Sequence, residues 1–144
     1  MIRHTLRALC AATLVIAPVA LTATPAHATV FCMVNGVAVS GTAVTGTPGP
    51  DVIRCGGPGA LDSVNGLGGG DYIVIGGPVS GLVSGGDGSD YIQVDSNVAP
   101  GGIVAGDNGS DFIRTGPNGG TVNGGPGVDF CRVASGNQPT GCEG

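Results

Sequence analysis

Five times between residues 46 and 132 the chain repeats a glycine-rich stretch that ends in an aspartate and runs into alternating apolar residues. The stretches are GTPGPDVIR (46–54), GLGGGDYIV (66–74), GGDGSDYIQ (85–93), GDNGSDFIR (106–114) and GGPGVDFCR (124–132). Their aspartates, Asp51, Asp71, Asp90, Asp111 and Asp129, stand 20, 19, 21 and 18 residues apart. A valine lies two residues before each stretch, at Val44, Val64, Val83, Val104 and Val122. Two columns in one phase define an internal repeat, and a repeat of this length predicts a solenoid rather than a single folded core. The shortest interval is two nines, and its second half, TGPNGGTVN (115–123), is itself a nine-residue unit ending near its valine. The longer intervals carry one to three extra residues, placed in the turn before each valine.

Each nine-residue unit then gives a turn and a short strand, and two units make one coil of an all-β, parallel β-roll of about five coils. Period-two alternation sends Ile53, Ile73, Ile92, Ile113 and Cys131 to one face. Cys55, Ile75, Val94, Thr115 and Val133 follow on the same face, and the valine column faces them from the opposing strand as a thin core. Composition agrees only because of the period. Glycine and proline make up 38 of residues 29–144, a fraction that without periodicity would indicate disorder.

At these residues the chain resembles the hemolysin-type, or RTX, calcium-binding nonapeptide repeats, whose motif is GGxGxDxUx with U a large apolar residue. GGDGSDYIQ meets every defined place, and GGPGVDFCR departs only in Cys131 at the U place. GDNGSDFIR puts Asp107 at the second place, where the first two stretches carry Thr47 and Leu67. The resemblance covers about residues 43–133 and implies a right-handed parallel β-roll with Ca2+ between stacked loops.

Coils stack at about 4.8 Å, so each loop brings its carboxylate within about 5 Å of the next, and like charges so close repel. A hard cation between loops relieves that repulsion, and calcium takes six to eight carboxylate and carbonyl oxygens in flexible geometry. The oxygens are expected from Asp51, from Gly69 and Asp71, and from Gly85, Gly86, Asp87, Gly88 and Asp90. Further ones are expected from Gly106, Asp107, Asn108, Gly109 and Asp111, and from Gly124, Gly125, Gly127 and Asp129. The gap between loops 85–90 and 106–111 ranks first and the gap between 46–51 and 66–71 last, because Thr47 and Leu67 break the pattern. Prolines at the third place, Pro48 and Pro126, remove an amide and keep a carbonyl, which suits loops that bind through carbonyls. On the opposite edge only Asp62 supplies an acid near the equivalent place, so calcium is expected mainly on one edge.

The first residues read as a targeting segment. MIRHTLR, an apolar run broken by Pro18, and Ala26-His27-Ala28 have the order of a secretory signal peptide, with the mature chain starting at Thr29. Removing residues 1–28 takes away Arg3 and Arg7 and no acid, so the formal charge moves from −5 to −7. It also removes both histidines, His4 and His27, and the chain has no lysine. The usual general bases and activated nucleophiles are then missing, so no catalysis is expected. Three remaining arginines make no basic stripe, which argues against nucleic acid. No second apolar span follows, so a secreted, extracellular product is expected.

Cys32, Cys55, Cys131 and Cys142 remain, an even number that implies two disulfides with three possible connectivities. Cys55 and Cys131 lie four rises apart, about 19 Å, too far for a bridge. Cys32–Cys55 and Cys131–Cys142 are expected, stapling a cap at 29–42 and a cap at 134–144 over the end coils of the roll at 43–133. One residue after each aligned aspartate, Val52, Tyr72, Tyr91, Phe112 and Phe130 form an outward column. It reads first as a ladder of neighbouring side chains, and second as a contact strip for a glycan or another copy of the chain. Two readings of function follow: a calcium-folded β-roll, or a metal-independent, disulfide-stapled adhesive or structural solenoid.

Overall fold

In the computed structural model, which describes residues 29–59 and 62–143, the alternation becomes twelve strands, with no helix among the described residues. The signal-peptide segment 1–28 lies outside the described residues. In chain order the strands are β1 (Val30–Val34), β2 (Val37–Gly41), β3 (Ala43–Thr45), β4 (Val52–Cys55), β5 (Ser63–Asn65) and β6 (Tyr72–Ile75). They continue as β7 (Leu82–Gly88), β8 (Tyr91–Val94), β9 (Ile103–Gly109), β10 (Phe112–Asn118), β11 (Thr121–Asn123) and β12 (Phe130–Gly136). Odd strands from β3 to β11 form one five-stranded sheet; the even strands from β4 to β12, together with β1 and β2, form a seven-stranded one. Among β3 to β12 every pairing of one strand with another is parallel, so the chain winds as a solenoid of about five coils.

Register follows the two sequence columns. Val44, Val64, Val83, Val104 and Val122 pair successively across one sheet, and Ile53, Ile73, Ile92, Ile113 and Cys131 across the other. All ten are buried, and with Cys55, Ile75 and Val94 they form the core between the sheets. Burying one such aliphatic side chain contributes about 1.5–3 kcal/mol, so the stack of equivalent layers is the main cohesive term. A third column was not apparent in the sequence. On the return edge Val79, Val98 and Asn118 bridge in succession and are buried, so that edge has its own packed corner.

The ends are closed differently. β1 and β2 form a hairpin whose two-residue turn is Asn35-Gly36, both with positive φ (50° and 83°), as a type I′ turn requires. β1 runs antiparallel to β4 and sets Cys32 opposite Cys55, and these two form a disulfide. At the other end Thr140 bridges Asn123, and Cys142 is joined to Cys131. Both expected disulfides are present. The aromatic column also forms: Tyr72, Tyr91, Phe112 and Phe130 stack at centroid distances of 5.0, 5.1 and 5.4 Å. The rings cover one another's faces, and the Arg54 guanidinium lies 5.8 Å from the Tyr72 centroid at the end of the stack.

Candidate metal centre

The five aspartates come together as a column on one edge, each 1–3% exposed. Their carboxylates are held in a ladder that joins the coils. Oδ1 of Asp71 accepts the backbone N–H of Asp51, Oδ1 of Asp90 that of Asp71, Oδ1 of Asp111 that of Asp90 and Oδ1 of Asp129 that of Asp111, each at 2.8 Å. Because strand and loop repeat in register, each aspartate presents the same oxygen to the coil before it.

The second oxygen has no such partner. Oδ2 of Asp71, Asp90, Asp111 and Asp129 is buried without a hydrogen bond. Leaving a buried polar atom unpaired costs about 1–3 kcal/mol, more when it is charged. Each of these oxygens faces the first glycine of its own loop. At Gly85 an added Cβ would run into Asp90 Oδ2 and stand 2.8 Å from the Gly106 carbonyl; at Gly106 it would meet Asp111 Oδ2 and lie 2.5 Å from the Gly124 carbonyl. Two acceptors thus converge on a space that only glycine leaves open.

The electrostatics follow from that burial. Desolvation pushes the Asp90 carboxyl up to about 6, opposed by the hydrogen bond from the Asp71 amide and reinforced by the charges of Asp111, Asp71 and Asp107. Asp111 and Asp71 are raised for the same first reason, with Asp129 and Asp107 adding to Asp111 and Asp51 to Asp71. Asp51 differs in its contacts. Its Oδ1 accepts from Asn35 Nδ2 and its Oδ2 accepts from the Thr47 amide at 2.5 Å, so neither oxygen is left over. The gap ranked last in sequence is therefore the one whose aspartate is already satisfied by donors.

Other expected ligands lie elsewhere. Asp87 accepts from Asn108 Nδ2 at 2.8 Å and Asp107 accepts from the Ser84 hydroxyl. These side chains line a shallow surface groove with Asn65, Leu67 and Pro126, apart from the buried column. The loops are also more regular than turns: β7 and β9 run on through Gly88 and Gly109 and pair as Gly86 with Asp107, Asp87 with Asn108 and Gly88 with Gly109. Several loop carbonyls are consequently engaged. Leu67 O accepts from Asp87 N, Asp87 O from Gly69 N and Pro126 O from Gly109 N. The fourth-place glycines allow this close stacking, since an added Cβ at Gly88, Gly109 or Gly127 (φ 137°, 143° and 146°) would collide with the carbonyl of Gly69, Gly88 or Gly109.

Among the described residues no three acidic, histidine or cysteine side chains converge on one point. A cation here would take carboxylate oxygens from neighbouring loops and complete its shell with carbonyls such as those of Gly85, Gly106 and Gly124. The residues fit that role, because the column offers unpaired anionic oxygens and adjacent carbonyls and no opposing donor. Sequence reasoning missed the residues that end the column, Asn35 and Glu143, the latter accepting from the Asp129 amide. Compared with protein-family models, curated proteins and solved structures, the chain matches none.

Proposed function

We propose that the chain is a secreted, non-catalytic calcium-binding β-roll of the RTX type, in which the ions fold and stabilise the solenoid. The observation that carries this reading is the row of four buried carboxylate oxygens without a hydrogen-bond partner. Calcium is the hard, oxygen-seeking ion whose flexible shell accepts carboxylates and carbonyls together. Extracellular modules hold it at about 10⁻⁴–10⁻³ M, so the ion would mark arrival outside the cell. Two disulfides suit an oxidising compartment, and no helix among the described residues is long and apolar enough to cross a membrane. Residues 71, 90, 111 and 129 would hold the ions between consecutive loops, and the ions would supply positive charge where burial and repulsion oppose ionisation.

The metal-independent reading draws on a different observation. The Oδ1 ladder, the two disulfides and the aromatic stack already link the coils without any ion. The stacked rings offer edges rather than faces outward, which weakens the glycan form of that reading and leaves self-association. A calcium titration followed by far-ultraviolet circular dichroism and thermal melting separates the two. Calcium folding predicts a gain of β signal and melting temperature at millimolar calcium. Identical spectra and melting points in chelator and in calcium would leave the disulfide-stapled solenoid.

A further inference from the structure

The C-terminal segment repeats the hydrogen-bond register of a coil in shortened form. Gly124 N donates to Thr140 O at 2.9 Å, as Gly46 N does to Asn65 O and Gly66 N to Ser84 O. Glu143 N donates to Asp129 O at 2.8 Å, as Phe112 N does to Asp90 O and Phe130 N to Asp111 O. Thr140 therefore stands in the register of Asn123, Gly141 in that of Gly124 and Glu143 in that of Phe130. Two residues, Gly141 and Cys142, span what the loop at 124–129 spans with six.

Shortening removes the aspartate, since Cys142 occupies its register and is bound to Cys131. Its role passes to the next residue. Glu143, the one glutamate in the chain, turns its longer side chain back so that Oε2 accepts the Asp129 amide. The Gly141 carbonyl takes the place of a first-glycine carbonyl: an added Cβ on Gly124 would meet it and stand 2.7 Å from Asp129 Oδ2. Asp129 is 1% exposed and that Oδ2 has no hydrogen-bond partner, although it belongs to the last full loop. The N-terminal end is closed in the opposite sense, by the Asn35 amide donating to Asp51.

Resting on the calcium reading above, we propose that segment 140–143 is an abbreviated sixth loop that forms a terminal calcium site with loop 124–129. Asp129 Oδ2, the Gly141 carbonyl and the Glu143 carboxylate supply its oxygens, and the Cys131–Cys142 disulfide holds it in register. Gly141 and Glu143 lie outside the nonapeptide repeats, and occupancy of the site is linked to the oxidation state of one disulfide.

The test is a count of calcium ions on the disulfide-intact protein by native mass spectrometry, at calcium levels that saturate the wild type. Glu143→Gln keeps an acceptor for the Asp129 amide while removing the charge, and should carry one ion fewer with the other steps unchanged. Asp95→Asn removes an acid outside the column and should leave the count as in the wild type. An unchanged count in Glu143→Gln overturns the terminal site and leaves the loop sites standing, and equal losses in both variants overturn it as a general charge effect. A wild type that binds no calcium overturns this inference together with the proposed function. A second readout needs no variant. At calcium ten times the site's Kd, reduction of Cys131–Cys142 through the opened segment should slow by about elevenfold, with a smaller effect on Cys32–Cys55. Equal slowing of both bonds would also overturn the proposal.

Discussion

Replacing Asp90 by asparagine should move stability in opposite directions with and without calcium. The Asp90 carboxylate accepts the Asp71 amide through Oδ1, an interaction that an asparagine oxygen retains. Its Oδ2 is buried without a donor and shares the space at Gly85 with the Gly106 carbonyl, so a side-chain NH2 there meets an acceptor instead of repelling one. Relief of an unpaired buried group amounts to about 1–3 kcal/mol. In chelator at neutral pH the variant should therefore melt higher than the wild type, at roughly 4–8 °C per kcal/mol for a domain near 100 residues. In calcium the balance inverts. Asp90 borders the gaps toward 66–71 and toward 106–111, and each ion at ten times its Kd contributes about 1.4 kcal/mol. Loss of both ions removes about 3 kcal/mol, so the calcium-induced rise in melting temperature should fall by about half, the sites at Asp111 and Asp129 still contributing. Melting followed by circular dichroism in chelator and in millimolar calcium gives all four values. A variant less stable than the wild type in chelator, with an undiminished calcium shift, would refute the reasoning.

Other expectations follow from the same geometry. In chelator the wild type should be more stable near pH 5 than near pH 8. The raised carboxyls of Asp71, Asp90 and Asp111 bind protons more tightly when folded, so their contribution is full at low pH and is lost as pH rises through about 6 for Asp90; calcium should flatten that profile, and a chelated protein that gains stability with pH would contradict it. Gly109→Ala should cost about 3 kcal/mol or more in urea unfolding, because its φ is 143° and its Cβ would strike the Gly88 carbonyl, whereas Gly56→Ala, with nothing within 4 Å, should be nearly neutral. Leu67 holds φ 79° with its side chain exposed, so Leu67→Gly should gain about 0.5–1 kcal/mol after the entropy of glycine is subtracted. Breaking Cys32–Cys55 by substituting both cysteines should cost about 3 kcal/mol by loop entropy and expose Val30 above the first coil.

The repeat made most of the solenoid readable in advance. Val83 and Ile92 sit at fixed offsets from Asp90, and stacking coils in register forces their counterparts into the same layers. The register excluded Cys55–Cys131, whose residues fall in different coils, and the need to cap the end coils favoured Cys32–Cys55 and Cys131–Cys142, the pairs that form. What escaped lies where the phase is lost. Val79 and Val98 each lie eight residues after an aligned aspartate, but Asn118 lies seven after Asp111 and is polar, so the third column breaks both in count and in residue type. The Asn35-Gly36 turn lies before the first repeat, although its dipeptide is a strong hairpin signal. Nor does the motif distinguish an inward acid from an outward one: Asp90 enters the column while Asp87, three residues earlier, meets Asn108 at the surface. Glu143 closes the column from outside the period, by a longer side chain reaching across a shortened loop.

The central claim is that the unpaired aspartate oxygens hold calcium between the coils. Anomalous diffraction from crystals grown in millimolar calcium tests it most directly. The account predicts peaks along one edge only, between consecutive loops, at about 2.3–2.6 Å from Oδ2 of Asp71, Asp90 or Asp111. Crystals of the folded roll that show no peak on that edge, with those carboxyls instead protonated or bonded to water, would contradict it.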